Sequence, residues 1–265
     1  MKMYLHRQIL KGLAAVNLIL VITVLQMGSI MAQSQPPTIP LPFDPATIDP
    51  STLPGAKLPL YKGRQFMSLD EQKLPENVKQ SMRRDVEQMR QQGFLHAEDA
   101  EVLKLDRRHM NRKKSQATKE DLDAIGMAPT KIKEALDTIG IVPTDITETP
   151  LATAKLIDVS PNGSWFIDKW TGLSRLFVVK GFGLVSLDEF DFTIGNGGVA
   201  VAEELCNEFV NAEPAALRVK ESPAKRGITE LVWVTEKRLF TLTVNRPLKS
   251  RGKVDQFIEL AESLH

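Results

Sequence analysis

A proline-rich segment sets the strongest limit on how this 265-residue chain can fold. Residues 33–66 contain eight of its sixteen prolines: Pro36, Pro37, Pro40, Pro42, Pro45, Pro50, Pro54 and Pro59. Because proline fixes φ and lacks the backbone N–H donor, neither a helix nor a central strand can persist through such a segment. We predict an extended linker over 33–66, either a passive spacer or a strip that lies along a partner.

The segment before this linker has the three parts of a secretory signal. Lys2, Arg7 and Lys11 precede an apolar run over 12–30, and a small residue, Ala32, follows it. We predict a signal peptide over 1–32 that is cleaved after Ala32, which makes the protein periplasmic or secreted. The run is close to the ~20 residues that cross a bilayer. The alternative is therefore an inner-membrane anchor over 12–30, with the rest of the chain outside the cytoplasm.

The region 67–148 is predicted to be helical. An apolar stripe at helical spacing comprises Val78, Met82, Val86 and Met89. It predicts a helix that starts near Pro75 and ends at Gly93, because glycine adopts the left-handed conformation that closes helices. A second helix is predicted from Ala97 to about Met110.

The same region contains an internal repeat with a spacing of fourteen residues. The segment 122–132 matches 136–146 at seven of eleven positions. Each copy carries a glycine, Gly126 or Gly140, followed three positions later by a proline. We predict two short helices, each ended by its glycine in the left-handed conformation.

A basic run precedes this repeat, with seven Lys or Arg and one acid over 104–119. Within the repeat, Ile125-Gly126-Met127 followed by Lys131-Ile132 resembles the helix-hairpin-helix DNA-binding motif over 122–135, with Ala128 where that family has a second glycine. The resemblance implies DNA binding without sequence preference. The candidate contacts to nucleic acid or a partner are Arg107, Arg108, Arg112, Lys113, Lys114 and Lys131. The alternative interpretation of the run is a solvated helix end and loop.

From Leu151 onwards, β-branched and aromatic runs indicate strands. We predict them over 154–159, 164–169, 175–180, 184–194, 215–220, 229–235 and 238–244. Turns are predicted at 161–163 and 195–198, and a tight hairpin at Glu236-Lys237. The segment 199–210 fits a helix and a strand equally well. An amphipathic pattern after Val254 predicts a final helix that covers one face of the sheet. The predicted fold class is α+β: a small helical region, then a C-terminal antiparallel sheet covered by a C-terminal helix, with the α+β domain over 151–265.

Four short segments near the C-terminus carry a second resemblance: Val210–Ala215, Leu231–Trp233, Phe240–Leu242 and Phe257–Leu264. In this order they resemble the small extracytoplasmic modules of bacterial anti-sigma factors, which are related to lipoprotein-carrier folds of the envelope. An anti-sigma factor has a cytoplasmic sigma-binding domain before its membrane segment, and we expect no room for one ahead of residue 12. The resemblance therefore implies an envelope binding module rather than a transcriptional regulator.

The sequence shows no recognisable catalytic, cofactor-binding or metal-binding motif. Cys206 is the single cysteine, and we interpret it as a small buried residue rather than a nucleophile. Asp188, Glu189 and Asp191 lie on one predicted strand, where alternate side chains point to opposite faces. We interpret them as a solvated strand face or bulge and not as an acid–base or calcium site. We expect no enzyme and no cofactor.

Charge is unevenly spread although the net charge is only +1. Residues 181–217 contain seven acids and no Lys or Arg, whereas 218–253 contain ten bases and three acids. Either the two segments pair across neighbouring strands, or they form a basic face suited to an acidic partner, anionic lipid or DNA.

Together these patterns predict an exported bacterial envelope protein. Its predicted role is that of a non-catalytic binding or adaptor module in an envelope assembly, with an envelope protein as partner. The first alternative is an extracytoplasmic nucleic-acid-binding protein of a DNA-transfer or uptake system. The second alternative is an enzyme of unrecognised type.

Overall fold

The computed structural model describes residues 61–115, 137–194 and 197–264. The predicted signal peptide or anchor, the linker up to residue 60 and the first copy of the repeat lie outside these ranges. Among the helices in the described ranges, none has the length and the apolar character needed to cross a bilayer.

Strands and helices alternate irregularly along the described residues. The strands are β1 (Gly63–Met67), β2 (Leu95–His96), β3 (Lys155–Phe166), β4 (Lys169–Val179), β5 (Gly183–Asp191), β6 (Gly198–Ala202), β7 (Glu208–Val210), β8 (Glu213–Glu221), β9 (Gly227–Val234) and β10 (Arg238–Val244). The helices are α1 (Glu76–Gln92), α2 (Asp99–Val102), α3 (Lys104–Ser115) and α4 (Arg251–Glu262), and a 3-10 turn spans Glu203–Leu205. The predicted α+β class is confirmed.

Eight of these strands form one sheet in the order β2-β8-β9-β10-β5-β4-β3. The eighth strand, β7, pairs with the start of β8 on the same edge that β2 occupies further along. The pairings are antiparallel except for β2 with β8. Strands β1 and β6 form a separate two-stranded parallel sheet.

One face of the main sheet packs against α4, as the amphipathic pattern predicts. The helix buries five side chains: Val254, Phe257, Ile258, Leu260 and Ala261. They meet apolar side chains from β4, β5, β8, β9 and β10. Trp233 and Phe240, on neighbouring strands, stack with ring centroids 5.0 Å apart. The prediction of an antiparallel sheet covered by a C-terminal helix is confirmed.

The other face of the main sheet is covered by the N-terminal elements. The β1–β6 pair contributes Val199 and Val201 to a cluster with Val232 and Val234 of β9. Helix α1 packs its predicted apolar stripe beside the 3-10 turn and β8, and it ends at Gly93, whose φ of 74° is left-handed as predicted. Helix α3 packs Leu105 on β4 and β5.

Two predictions of secondary structure are corrected. The predicted turn at 161–163 lies inside β3, where the pairing with β4 shifts register between Asn162 and Trp165. The shift is a β-bulge, which absorbs the turn-like residues without ending the strand. The predicted helix from Ala97 to Met110 is two helices, α2 and α3, that meet at Leu103.

The second copy of the repeat also differs from its prediction. Gly140 does not have a left-handed φ. Instead, Ile139 bridges Trp170, and the Gly140 N–H donates to the Trp170 carbonyl at 2.7 Å. Glycine suits this close approach, because an added Cβ would make tight contacts of 3.0 Å with the Cβ of Lys169 and 3.3 Å with the Trp170 carbonyl oxygen.

Two segment boundaries also become clear. The segment 199–210, which fitted helix and strand alike, contains most of β6, the 3-10 turn and β7. Strand β1 begins within the last residues of the predicted linker. The tight hairpin at Glu236-Lys237 joins β9 to β10 as predicted.

Candidate functional site

Of the predicted contacts to nucleic acid, Arg108 is turned into the protein. Its Nε donates to Asp158 Oδ2 at 2.7 Å, and its Nη1 donates to Ser174 Oγ at 2.6 Å. Its Nη2 reaches Ser160 Oγ at 3.1 Å. These partners lie on β3 and β4, so Arg108 fastens α3 to the sheet. A phosphate would have to displace Asp158 to reach this guanidinium.

The other predicted contacts include one described side chain, that of Arg107. Arg107 is exposed on α3. Arg112, Lys113 and Lys114 belong to the last turns of the same helix, and Lys131 lies outside the described residues.

Two carboxylates of β5, Asp188 and Glu189, point to opposite faces, as predicted, but they are not solvated. Asp188 faces α3 and accepts a hydrogen bond from the Ser174 hydroxyl. Burial raises the pKa of the Asp188 carboxyl, although the hydroxyl and the Arg108 charge act in the opposite direction. Glu189 faces the other way and is fully buried. The interpretation of a solvated strand face is therefore wrong for Asp188 and Glu189, which find partners inside the protein, whereas Asp191 is partly exposed and, among the described residues, accepts only from Thr193.

Glu189 is the centre of a buried ionic cluster. One carboxylate oxygen accepts from Arg175 Nη2 at 2.7 Å, and the other accepts from Arg238 Nη1 at 3.1 Å. The Thr144 N–H and hydroxyl also donate to Glu189, at 2.9 and 2.8 Å. Burial lowers the pKa of Arg175. The cluster ties the second copy of the repeat to the sheet through Thr144, so its role is structural.

A second buried carboxylate, Glu230 on β9, lies under the N-terminal helices. Lys104 of α3 donates to one of its oxygens, and Lys220 of β8 reaches the other at 2.8 Å. Burial alone would raise the pKa of Glu230. The positive charges of its neighbours outweigh this effect and hold the pKa well below the usual range. Glu230 therefore stays ionised, with both oxygens occupied.

A cavity of about 280 Å³ lies between α1, the 3-10 turn and β8. Its apolar wall comprises Val86, Met89, Leu95, Leu205 and Leu217. Its polar groups include Asp85 of α1, Cys206 after the 3-10 turn and Arg218 of β8. We call this space the α1–β8 cavity. Its volume is near the lower end of the ~300–1,000 Å³ found for small-molecule sites.

Arg218 is the unusual member of this lining. Only 6% of its surface is exposed, yet its guanidinium has no hydrogen bond or ion pair with any described residue. Its Nε is fully buried without a partner. Glu230 faces it across the β8–β9 pair but is occupied by the two lysines. Sequence reasoning missed Arg218 because only the packing of α1 over β8 creates this environment.

Cys206 lines the same cavity and is partly buried. Burial, together with the nearby charges of Glu203 and Glu204, raises the pKa of its thiol to about 11. The thiol is therefore protonated at neutral pH, which does not suit a nucleophile.

An apolar hairpin tip joins β3 to β4, which lie at the opposite edge of the main sheet from β8. Its two turn residues, Ile167 and Asp168, both have positive φ, at 43° and 59°. Ile167 is 78% exposed and Trp165 is 47% exposed. The Trp165 ring meets Trp170 edge-on, with centroids 5.5 Å apart. The tip therefore presents apolar side chains in a backbone conformation that β-branched residues avoid.

The acidic and basic segments of the sequence pair with each other in several places. Arg238 pairs with Glu189 across β10 and β5, and Arg251 pairs with Glu208 between α4 and β7. These contacts match the first of the two predicted charge arrangements, in which the segments pair rather than segregate.

Comparisons with known proteins add no assignment: no family model, no curated protein and no solved structure matches this chain. Within the described ranges, no group of three or more His, Cys, Asp or Glu side chains is arranged to hold a metal ion.

Proposed function

We propose that this is an exported bacterial envelope protein that acts as a non-catalytic binding or adaptor module in an envelope assembly. The observation that carries the proposal is the hairpin tip between β3 and β4. Its partner would be another envelope protein. The export part of the proposal rests on the signal-like sequence over 1–32.

Ile167 is unfavourable at the tip for two independent reasons. A left-handed conformation costs an L-residue roughly 1–2 kcal/mol, and Asn or Gly would avoid most of that cost. Because Ile167 is 78% exposed, its aliphatic side chain also gains almost none of the stabilisation that burial would give. Neither feature helps the chain to fold. A contact made outside the chain gives a physical reason for an isoleucine at this position.

The tip is also held in place before any partner arrives. Trp170 supports Trp165 from the neighbouring strand and itself packs against Ile139 and Ile141. The Lys169 ammonium donates to the Asp137 carbonyl. A preformed tip loses little conformational entropy on binding, which favours recognition by a complementary pocket.

A protein pocket suits this tip better than a lipid surface does. Asp168 is exposed beside Ile167 in the same two-residue turn. The hydrocarbon region of a bilayer strongly disfavours a carboxylate. A protein can bury the isoleucine and offer a donor to the aspartate at the same time.

The test is a gentle detergent purification of the tagged full-length protein from its native envelope, with mass spectrometry of the co-purifying proteins. We expect one stoichiometric envelope partner with the unaltered chain. The double variant Trp165→Thr/Ile167→Asn should lose that partner. Phe209→Thr is the matched control, because it removes an aromatic side chain that is 63% exposed on β7, far along the sheet order from the tip.

Two results would contradict the proposal. The unaltered protein could emerge alone, or the partner could remain bound to the double variant as strongly as to the Phe209→Thr control.

A further inference from the structure

The α1–β8 cavity contains a buried cation whose presence the fold does not explain. Arg218 is only 6% exposed, and no carboxylate of the described residues lies within ion-pair distance of its guanidinium. A buried charge without a partner is expensive, and folded proteins rarely keep one without a use. The guanidinium of Arg218 is therefore a candidate for binding an anionic ligand.

Burial lowers the pKa of Arg218 and outweighs Glu230, Asp85 and Glu101, which are close enough to favour its charge, and none of the three forms an ion pair or hydrogen bond with it. Glu230 is the residue directly across from Arg218, but Lys104 and Lys220 occupy its two oxygens. Glu204, at the cavity edge, accepts the Leu69 N–H with both oxygens at 3.0 Å. Asp85 also lines the cavity, without an ion pair to Arg218 in the described structure. The unused donors of Arg218 are thus left to face the cavity.

We propose that the α1–β8 cavity binds a small organic carboxylate with an apolar body, and that Arg218 holds the carboxylate. A guanidinium presents paired N–H donors that match the two oxygens of a carboxylate. The aliphatic wall accommodates the apolar body of the ligand. The proposal does not depend on the hairpin tip or on export.

The remaining polar groups narrow the class of ligand. A phosphate dianion is disfavoured, because it would bring two negative charges next to Asp85 and Glu204. Arg90, the second arginine of the lining, is exposed and already pairs with Glu87. Burial raises the pKa of the Asp85 carboxyl although the charges of Arg218, Lys220 and Arg84 act in the opposite direction, and no described residue is an ion-pair partner of this carboxylate. An ammonium group on the ligand would supply one. Apolar amino acids therefore fit the cavity better than simple carboxylic acids of the same length.

Cys206 provides a direct readout of occupancy. It is the only cysteine of the chain and it lines the cavity. A bound ligand should therefore slow its reaction with the thiol-specific reagent methyl methanethiosulfonate. Three probes share one aliphatic chain: norleucine carries both charges, hexanoate carries only the carboxylate, and pentylamine carries only the ammonium.

We expect norleucine to protect Cys206 at the lowest concentration, hexanoate to need more, and pentylamine to give no protection. In Arg218→Gln, half-protection by hexanoate should require roughly ten- to hundredfold more ligand, the loss typical of a charged hydrogen bond. Arg107→Gln is the matched control, because it removes an exposed arginine of α3 outside the cavity. It should keep full protection. Asp85→Asn should abolish the advantage of norleucine over hexanoate.

Several results would overturn the proposal. Equal protection by all three probes would indicate apolar binding alone, and protection by none would indicate no binding. If hexanoate protected Cys206 in Arg218→Gln as well as in the unaltered protein, Arg218 would not hold the carboxylate. The variant should unfold at the same temperature as the unaltered protein or higher, because it loses an unpaired buried charge. A clearly lower midpoint would make Arg218 a structural residue and would also overturn the proposal.

Discussion

Three residues of this protein lie in environments that are unfavourable for their side chains: two charged side chains are buried and one apolar side chain is exposed. They differ in whether contacts within the fold offset this. Glu189 is fully buried, but two arginines and Thr144 satisfy it. Arg218 is buried without a partner, and Ile167 is exposed in a left-handed turn. The first is explained within the fold, whereas for the other two we propose contacts with other molecules. Substitutions at these positions should therefore change stability in opposite directions.

Replacing Ile167 should make the isolated protein more stable. We expect Ile167→Asn to raise the free energy of unfolding by about 1 kcal/mol, because asparagine tolerates the left-handed conformation. Urea unfolding measures the difference. Asp168→Asn is the control at the neighbouring turn position, and it should change stability by no more than about 0.5 kcal/mol. A less stable Ile167→Asn variant would show that the isoleucine supports the fold.

Replacing Glu189 should have the opposite effect. Glu189→Gln leaves Arg175 and Arg238 without their counter-charge beneath the segment that carries Thr144. We expect a loss of roughly 3–5 kcal/mol, which is typical of breaking a buried ion pair from one side. Glu208→Gln, which removes a carboxylate paired with the exposed Arg251, should cost much less. Equal losses in the two variants, measured by urea unfolding, would contradict a buried cluster.

At the scale of elements, the spacing of apolar residues correctly predicted the helices whose buried face is set by their own sequence. The stripe of α1 and the final amphipathic pattern of α4 each produce the expected helix, because one face meets the core. The turn predicted at 161–163 failed because pairing with β4 continues on both sides and a bulge absorbs the break. Gly140 was misread because its constraint is the approach of Lys169, which is distant in sequence.

Helix α4 should contribute a large part of the stability of the sheet. Phe257 is fully buried between the helix and the sheet, and its ring meets Phe182 with centroids 5.8 Å apart. We expect Phe257→Ala to lower the free energy of unfolding by about 3–5 kcal/mol through lost burial and the cavity it leaves. Gln256→Ala, on the exposed side of the same helix, should leave the urea midpoint nearly unchanged. A small loss for Phe257→Ala would mean that α4 is only loosely attached.

At the scale of the whole molecule, the buried charges make stability depend on pH. The pKa of Glu230 is held well below its ordinary 4.5 by nearby cations. Protonation therefore favours the unfolded state: the stabilisation is complete above about pH 5 and is lost as the pH falls toward the folded pKa. We expect Glu230→Gln to lower stability near pH 7 and to reduce the further loss between about pH 7 and about pH 3.

Urea midpoints at the two pH values test this expectation. Glu236→Gln removes an exposed carboxylate from the β9–β10 turn and is the control for the change of one charge. An acid-induced loss in Glu230→Gln as large as in the unaltered chain would show that other groups carry the pH dependence.

The candidate sites were less predictable than the fold. Arg108 belonged to a basic run that looked solvated or phosphate-binding, but Asp158 and Ser174 come from strands far along the chain. Arg218 looked like one of ten bases in the last part of the sequence. It lacks an ion pair because Lys104 and Lys220 each occupy one carboxylate oxygen of Glu230, the acid directly across from it. Such sites are set by packing between distant segments, which a single sequence does not display.

The pairing of β1 with β6 has a mechanical consequence. The two strands run in parallel, from Gly63 beside Gly198 to Met67 beside Ala202. A force applied to the chain before Tyr61 pulls β1 in the direction of its N-terminal end. Strand β6 is held at its C-terminal end by the residues that follow it. The hydrogen bonds of the pair are then loaded together in shear instead of being opened one after another. The protein is thus attached to its N-terminal segment in the geometry that best resists tension.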